Sequence, residues 1–264
     1  EGFDVTCVDV SRQPLPDLAR DAELVAFYLP MHTATRLAAP LIRKTRQVNP
    51  HARIAAYGLY APLNDAWLSE LGVDDVLGGE FEADLASIAR RMISADTTSP
   101  ARDATGVSVS AALPRLQFLV PDRTGLPPLE RYATLEMNDG RRTVVGYTEA
   151  SRGCRHLCRH CPVVPVYKGQ FRLVQADVIA ADIAAQVAAG AGHITFGDPD
   201  FFNGPTHAMH IVEAVHAAHP TLTYDVTIKI EHLLRHRDLL PRLAGTGCAF
   251  VTSAVESLDD EGLA

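Results

Sequence analysis

The sequence has little of what a membrane-spanning or secreted protein needs. No apolar run approaches the roughly 20 residues of a helix that crosses a bilayer, and no segment has the composition of a signal peptide. Five of the 264 residues are cysteine, and three of these fall within eight positions, which is unlike a disulfide framework. We therefore expect a protein of a reducing compartment, the cytoplasm, without a membrane partner.

Positive charge is also scarce. The chain has 24 lysines and arginines against 32 acidic residues, a formal net charge of −8 at pH 7. A broad nucleic-acid-binding surface needs an excess of positive charge, so we do not expect a nucleic-acid partner. Hydrophobic residues make up 47 % of the chain, enough for packed cores, and the length suffices for two ordinary domains.

Residues 1–95 alternate strand and helix signals, which predicts a doubly wound, Rossmann-like α/β domain with a parallel sheet. The predicted strands are Val5–Val10, Leu24–Leu29, Arg53–Tyr57 and Asp75–Leu77, and the predicted helices are His32–Val48, Asp65–Leu71 and Phe81–Met92. The chain opens with Glu1, not Met, directly before a strand-like run. We expect a fragment of a longer protein, with the first strand of this domain preceding residue 1.

Residues 96–141 form a predicted linker, rich in small polar residues and proline. A second βα series then runs over residues 142–264. Its predicted strands are Arg142–Glu149, His193–Phe196, Tyr224–Ile230 and Ala249–Val255, and its predicted helices are Ala176–Ala189, Thr206–Ala218 and His232–Leu243. The order of these elements predicts a second parallel sheet.

Three cysteines follow the first strand of this second series. Cys154, Cys158 and Cys161 have the spacing Cys-x3-Cys-x2-Cys, and thiolates are soft ligands that suit iron–sulfur clusters or zinc. A tight loop can bring three sulfurs to one cubane and leave its fourth iron open. The amino and carboxylate groups of S-adenosylmethionine (SAM) can chelate such an iron, and electron transfer into the sulfonium then breaks a carbon–sulfur bond.

Other metal sites remain open on the sequence alone. Structural zinc usually pairs one Cys-x2-Cys with a second pair, which this chain lacks, although His156 and His160 offer nitrogen ligands. A closed, ferredoxin-type cluster needs a fourth cysteine, and Cys248 is the nearest spare on another predicted strand. Free core thiols are the third alternative.

The cysteine spacing, placed directly after the first strand of a βα series, resembles the signature of the radical SAM superfamily over residues 142–264. The resemblance implies a partial (β/α) barrel here, a [4Fe–4S] cluster on Cys154, Cys158 and Cys161, SAM as cofactor, and an external electron donor of flavodoxin or ferredoxin type. The family usually has an aromatic residue before the last cysteine, where this chain has His160, whose imidazole can pack against adenine. The substrate cannot be read from the sequence.

The segment Phe196–Asp200 resembles the Gly-Gly-Glu-like segment that binds the amino group of SAM in this family. By this resemblance Gly197 permits close backbone approach, and Asp198 accepts a hydrogen bond from the ammonium group, with Asp200 beside them. The alternative is an ordinary turn that uses Gly, Asp and Pro for conformational reasons.

Two further pairs complete the candidate site. Ser253 and Glu256 lie in a strand end that resembles the Gly-x-Glu-Ser-like segment touching the SAM ribose or carboxylate, although Glu256 can equally cap a following helix. Lys229 and Glu231 are catalytic candidates at the end of the third strand of the series, where barrel enzymes keep their chemistry. Their alternation predicts a shared direction and pairing, and a solvent-exposed pair is the alternative.

Residues 1–95 resemble the cobalamin-binding domain of the B12-dependent radical SAM class. That resemblance implies corrin contacts from three segments after the predicted strands, residues 30–33, 58–60 and 78–80. His32 could ligate cobalt or could simply begin a helix. No Asp-x-His-x-x-Gly motif is present, so a domain that keeps the fold without binding a corrin is the alternative.

Three segments resemble the radical SAM branch named for a Cys/Sec-Cys-Ala-Glu-Pro tail (CUAEP/CCAEP). They are residues 29–38, 167–171 and 194–200. The leading functional prediction is reductive cleavage of SAM on a [4Fe–4S] cluster. The alternatives are a cobalamin-dependent radical SAM methyltransferase and a non-catalytic metal-binding or electron-transfer iron–sulfur protein.

Overall fold

The computed structural model describes residues 2–15, 17–94, 116–137 and 140–255. The chain divides into two compact units. The three-stranded unit comprises Gln13–Pro114 and His156–Lys168, and the five-stranded unit comprises Glu1–Arg12, Arg115–Arg155 and Gly169–Ala264. The predicted mixed α/β class is confirmed. No helix among the described residues has both the length and the apolar character needed to cross a bilayer.

The first six elements form the framework of the three-stranded unit. They are β1 (Leu24–Tyr28), α1 (His32–Val48), β2 (Arg53–Tyr57), α2 (Asp65–Glu70), β3 (Asp75–Leu77) and α3 (Glu82–Ser94). The strands are parallel in the order β1-β2-β3, as the alternating strand and helix signals predicted. The assignment of this sheet to a cobalamin-binding domain stays a prediction.

The core of this unit lies between the sheet and helices α1 and α2. Helix α1 buries small residues, Ala38 and Ala39, together with Ile42 against Phe27 and Ile54 of the sheet. These positions recur at three- and four-residue spacing, so they lie on one side of the helix. Burying a side chain the size of isoleucine contributes about 1.5–3 kcal/mol, so this face fixes the helix on the sheet.

The remaining helices and strands run from residue 133 to residue 252, and the loop that carries Cys154, Cys158 and Cys161 lies among them. They are β4 (Ala133–Glu136), β5 (Arg142–Thr148), β6 (Ser151–Gly153), α4 (Val163–Tyr167), β7 (Phe171–Leu173), α5 (Ala176–Ala188), β8 (Ala191–Phe196), α6 (Pro205–Ala218), β9 (Thr223–Thr227), α7 (Ile230–Arg235), α8 (Leu240–Gly245) and β10 (Cys248–Thr252). Strands β6 and β7 pair antiparallel as a separate two-stranded sheet. Helix α4 belongs to the three-stranded unit.

The five-stranded sheet has the order β10-β9-β8-β5-β4 and curls into a half-barrel. Strand β4 is antiparallel to β5, and the other pairs are parallel. One face packs against α5 and α6 through an apolar core that includes Ile183, Ile194, Phe196, Ile211 and Tyr224. The partial barrel predicted for this part of the chain is therefore confirmed as a fold.

Two predicted elements differ most from the structure. Val5–Val10 is not a strand, and Val5 is 74 % exposed, because a β-branched run forms a strand only where a neighbour completes its hydrogen-bond ladder. The helix predicted over His232–Leu243 is divided into α7, a 3-10 turn at Arg237–Leu239 and α8. Pro241 lies in the first turn of α8, where its missing N–H costs nothing.

The fold of the three-stranded unit depends on a buried asparagine side chain, which generates a testable prediction. Asn49 Nδ2 donates to the carbonyls of Ala19 and Ala22 at 3.0 and 2.9 Å, and its Oδ1 accepts from the N–H of Ala52 at 3.0 Å. Asn49→Ala removes all three side-chain hydrogen bonds, and the Ala52 N–H keeps only its longer bond to the Asn49 carbonyl at 3.3 Å. We therefore expect the free energy of unfolding to fall by about 2–3 kcal/mol. Fluorescence of Trp67, the single tryptophan, reports urea unfolding of this unit.

The matched control is Asn64→Ala. Among the described residues the Asn64 side chain makes one hydrogen bond, from Nδ2 to the carbonyl of Tyr60 at 2.7 Å, so its removal should cost under about 1 kcal/mol. Equal losses in the two variants would contradict the role given to Asn49.

Candidate functional site

The cysteine loop begins at the end of the β6 strand. Cys154 follows β6 directly and is buried, whereas Cys158 and Cys161 are half-buried. The N–H of Cys161 donates to the carbonyl of Cys158 at 3.2 Å, which forms a turn before α4. None of the three forms a disulfide. Their assignment as metal ligands rests on spacing and stays a prediction.

Asp198 fastens the residues just before the cysteine loop. Its Oδ2 accepts from the N–H of Ala150 at 2.8 Å, and its Oδ1 contacts the Ser151 hydroxyl at 2.5 Å. The carboxyl is 2 % exposed, and burial raises its pKa to about 7, against the opposing effect of hydrogen bonds from Ser151 and Ala150. A residue predicted for SAM binding therefore also ties the end of β8 to the start of the loop.

Asn203 holds the first cysteine by three contacts. Its Oδ1 accepts from the N–H of Arg155 at 3.2 Å and lies 3.7 Å from the Cys154 sulfur, while Nδ2 donates to the carbonyl of Gly153 at 3.4 Å. Asn203 is buried at 1 % exposure in the 3-10 turn Phe201–Asn203. Sequence reasoning missed this residue, because its partners lie about 50 positions away along the chain.

Asp200 lies in the same segment, where it caps the turn and pairs with a histidine. Its Oδ1 accepts from the N–H of Phe202 at 3.1 Å, and its Oδ2 lies 2.8 Å from Nδ1 of His232. Asp200 and His232 are both almost fully buried. The pair connects the segment after β8 with α7, the helix after β9. The predicted contact of Asp200 with SAM stays a prediction.

Gly197 permits a close approach, and in this structure Tyr147 makes it. A Cβ at position 197 would overlap the hydroxyl and ring of Tyr147. Tyr147 is 52 % exposed, and its hydroxyl donates to Glu149 Oε1 at 3.0 Å. An aromatic ring therefore occupies the place that the sequence predicted for backbone contact with SAM. Sequence reasoning did not single out Tyr147.

Polar side chains of α5 hold the end of β5. Gln186 accepts from the N–H of Tyr147 at 2.8 Å and donates to its carbonyl at 3.0 Å. Asp182, 2 % exposed, accepts from the Thr148 hydroxyl at 2.8 Å and forms an ion pair with Arg123. Both ends of the short connection between β5 and the cysteine loop are thus fixed by buried hydrogen bonds.

The remaining predicted residues lie in varied surroundings. Strand β9 ends at Thr227, so Lys229 and Glu231 do not alternate in a strand, and that part of the prediction is wrong. They lie at the start of α7 with Lys229 Nζ 3.4 Å from Glu231 Oε2. Ser253 has a buried hydroxyl with no hydrogen-bond partner in the described structure. His160 is exposed, and Glu256 lies outside the described residues.

The surroundings of Cys248 favour its neutral thiol over the thiolate that binds metals. Burial and the nearby charge of Asp225 raise the pKa of its thiol to about 11. The sulfur contacts the carbonyl of Phe250 at 3.4 Å. Because metals bind the thiolate, this environment does not favour Cys248 as the fourth ligand of a closed cluster.

The carboxyl edge of the three-stranded sheet gives mixed support for a corrin site. Three aromatic rings, those of Tyr28, Tyr57 and Phe81, meet there with centroids 4.8–6.0 Å apart, and Tyr28 is 53 % exposed. These rings supply apolar surface for a flat ligand. The predicted corrin-contact segments contain Gly58, Gly78 and Gly79, and two of these glycines are covered by neighbouring atoms. A Cβ at Gly58 would lie 3.0 Å from the Leu29 carbonyl oxygen, and one at Gly78 would lie 2.6 Å from Pro62.

Comparison with known proteins gives a likeness of fold without a likeness of sequence. No protein-family model matches the chain, and no curated protein matches it in sequence. The chain is similar to the radical SAM methyltransferase TsrM from Kitasatospora setae, solved with tryptophan substrate and the SAM analogue aza-SAM. The TM-score is 0.74 at 18 % identity, covering 98 % of this chain and 55 % of that chain.

A second structure of TsrM, solved with cobalamin and a [4Fe–4S] cluster, matches with a TM-score of 0.63 at 17 % identity. It covers 90 % of this chain and 49 % of that chain. The chain thus spans about half the length of these proteins. At such identities, the matches establish a shared fold.

The raised pKa of Asp198 predicts a pH dependence of stability. The folded protein binds more protons than the unfolded chain between the ordinary value of 3.8 and about 7. The stability from this group is therefore present below about pH 4 and is lost as pH rises through about 7. Asp198→Asn does not ionise but can still accept from Ala150 and donate to Ser151, so it should remove this loss.

Urea unfolding of the cluster-free protein, followed by circular dichroism from about pH 5 to 7.5, measures the slope. The control Asp177→Asn makes the same substitution at an exposed position of α5, and it should keep the wild-type slope. A wild-type slope in Asp198→Asn would show that Asp198 titrates in its usual range.

Proposed function

We propose that this chain is the cluster- and SAM-binding part of a radical SAM enzyme. The observation that carries the proposal is the pair of buried side chains, Asp198 and Asn203, that hold the loop bearing Cys154 to the end of β8. A loop that holds soft thiol ligands needs such support, because its backbone groups must be satisfied while its sulfurs remain available. The TsrM-like fold agrees with this assignment.

The donor set suits an iron–sulfur cluster better than zinc. The three cysteines form no disulfide and have the spacing Cys-x3-Cys-x2-Cys, so three thiolates on a cubane would leave one iron without a protein ligand. The environment of Cys248 does not favour it as the missing thiolate. When bound, the cluster supplies the electron that cleaves SAM, and we expect that electron to come from a flavodoxin- or ferredoxin-type donor.

The chain's own residues would hold SAM at the carboxyl ends of β8 and β10. The buried hydroxyl of Ser253 has no hydrogen-bond partner among the described residues, so it is available to donate to a ligand oxygen. Asp198 already accepts from Ala150 and contacts Ser151, so an ammonium group would share this carboxylate. We therefore assign Asp198 first to positioning the cysteine loop and second to SAM binding. The branch with the Cys/Sec-Cys-Ala-Glu-Pro tail stays a prediction.

A second candidate is a cobalamin-dependent radical SAM methyltransferase. It is favoured by the likeness to TsrM, which has been solved with cobalamin, and by the aromatic cluster at the carboxyl edge of the three-stranded sheet. The covered positions at Gly58 and Gly78 argue for weak corrin binding by this chain. His32 is exposed at the start of α1, and its role as a cobalt ligand stays a prediction.

Anaerobic reconstitution with iron and sulfide tests the leading function. We expect about four iron and four sulfide per chain, lost in the triple variant Cys154→Ala, Cys158→Ala, Cys161→Ala. Cys248→Ala is the matched control and should retain the full content. Zinc without labile sulfide, or loss of the cluster in Cys248→Ala, would contradict an open three-cysteine cluster.

Chromatography of the reduced, reconstituted protein with SAM separates the two candidates. The leading function predicts 5′-deoxyadenosine, whereas methyl transfer predicts S-adenosylhomocysteine whose formation depends on added hydroxocobalamin. Neither product from a fully loaded protein would favour an electron-transfer role instead.

A further inference from the structure

The two faces of the five-stranded sheet differ in chemistry. One face contributes Ile194, Tyr224 and Val226 to the apolar core. Strand pairing places residues of the opposite parity on the other face of the half-barrel. On β8, β9 and β10 that concave face carries His193, Thr195, Thr223, Asp225, Thr227 and Phe250. Tyr147 of β5, the register partner of Thr195, adds a second aromatic ring to the same face.

Asp225 is the acidic member of this group, and its two oxygens differ. Oδ1 lies 2.9 Å from Nε2 of His193 and accepts from the Thr195 hydroxyl at 2.6 Å. The Thr223 hydroxyl lies 2.7 Å from the other ring nitrogen of His193, so that histidine is oriented by both neighbours. Within the described residues, Oδ2 receives no hydrogen bond, and it is not among the fully buried polar atoms.

No lysine or arginine pairs with Asp225 in the described structure; its ion-pair partner there is His193. A carboxylate oriented through one oxygen presents the other as a fixed acceptor. Such an acceptor makes its strongest hydrogen bonds to a charged or polarised N–H. Asp225 is therefore an oriented hydrogen-bond acceptor on the concave face of the half-barrel.

Phe250 adds an aromatic surface next to this acceptor. It is the register partner of Asp225 on the neighbouring strand. Its ring stacks on His193 with centroids 6.0 Å apart and an interplanar angle of 10°, while 44 % of the residue remains exposed. An exposed ring beside a carboxylate oxygen suits a ligand that is both aromatic and a nitrogen donor.

We propose that Asp225 and Phe250 form the substrate-recognition site of this chain, and that the substrate is an aromatic compound bearing an ammonium or N–H group. Oδ2 of Asp225 accepts from that nitrogen, and the Phe250 ring packs against the aromatic part. His193 and Thr195 are positioning residues that hold Oδ1. This inference rests on the proposed function, since it takes the concave face as the place where the substrate meets SAM.

Binding of small probes tests the proposal directly, without turnover. Tryptamine carries a ring and an ammonium group, whereas indole-3-propionate carries the same ring with a carboxylate. By isothermal calorimetry, the wild-type protein should bind tryptamine at least tenfold more tightly than indole-3-propionate. Asp225→Asn should lose at least tenfold in tryptamine affinity, and Phe250→Ala should weaken both ligands. The exposed Asp177→Asn should bind like the wild type.

If Asp225→Asn fails to fold, Phe250→Ala still tests the site. We expect this variant to fold, because Phe250 lies exposed on the edge strand β10. No measurable tryptamine binding by the wild type, or unchanged affinity in both variants, would overturn the proposal and leave His193–Asp225 a structural pair. Iron content and SAM cleavage are measured on the same proteins. Loss of cleavage with Asp225-dependent tryptamine binding would refute the proposed function while supporting the recognition site.

Discussion

The candidate site depends on the hydrogen bonds that the Asp198 carboxyl group makes with Ala150 and Ser151. This group connects the segment after β8 to the residues that precede the cysteine loop. Because the group is almost fully buried, its hydrogen bonds cannot be exchanged for water without a large cost. Asn203 extends the same connection to Cys154, and the pairing of Asp200 with His232 fixes the turn from the side of α7.

This arrangement separates support from chemistry. Buried polar groups on α5 hold the end of β5, and those in the segment after β8 hold the cysteine loop. The apolar core keeps α5 and α6 on the outer face of the sheet. The concave face is left for recognition, with the Asp225 carboxylate as its oriented acceptor. The residues that stabilise the fold are thus distinct from those proposed to bind a ligand. Asp198 is the exception, because it has both roles in this account.

Long periodic segments were predictable from the sequence. The bounds of Arg53–Tyr57 and His32–Val48 agree with the structure, because periodicity and stop signals act locally. The hairpin β6–β7 has three residues in each strand, too few for a period. The role of Asn203 could not be predicted, because its hydrogen-bond partners lie about 50 positions away along the chain. The pairing of β5 with β8 brings these segments together. Val5–Val10 had the composition of a strand, but no strand in the described part of the chain pairs with it.

The central claim is that the segment after β8 positions Cys154 for cluster binding. The most direct measurement is the iron and sulfide content of anaerobically reconstituted Asn203→Ala, normalised to chain that is folded by circular dichroism. The account predicts a severalfold loss of cluster relative to the wild type, with secondary structure retained, whereas Asn64→Ala keeps the wild-type content. Full iron and sulfide in Asn203→Ala would contradict it.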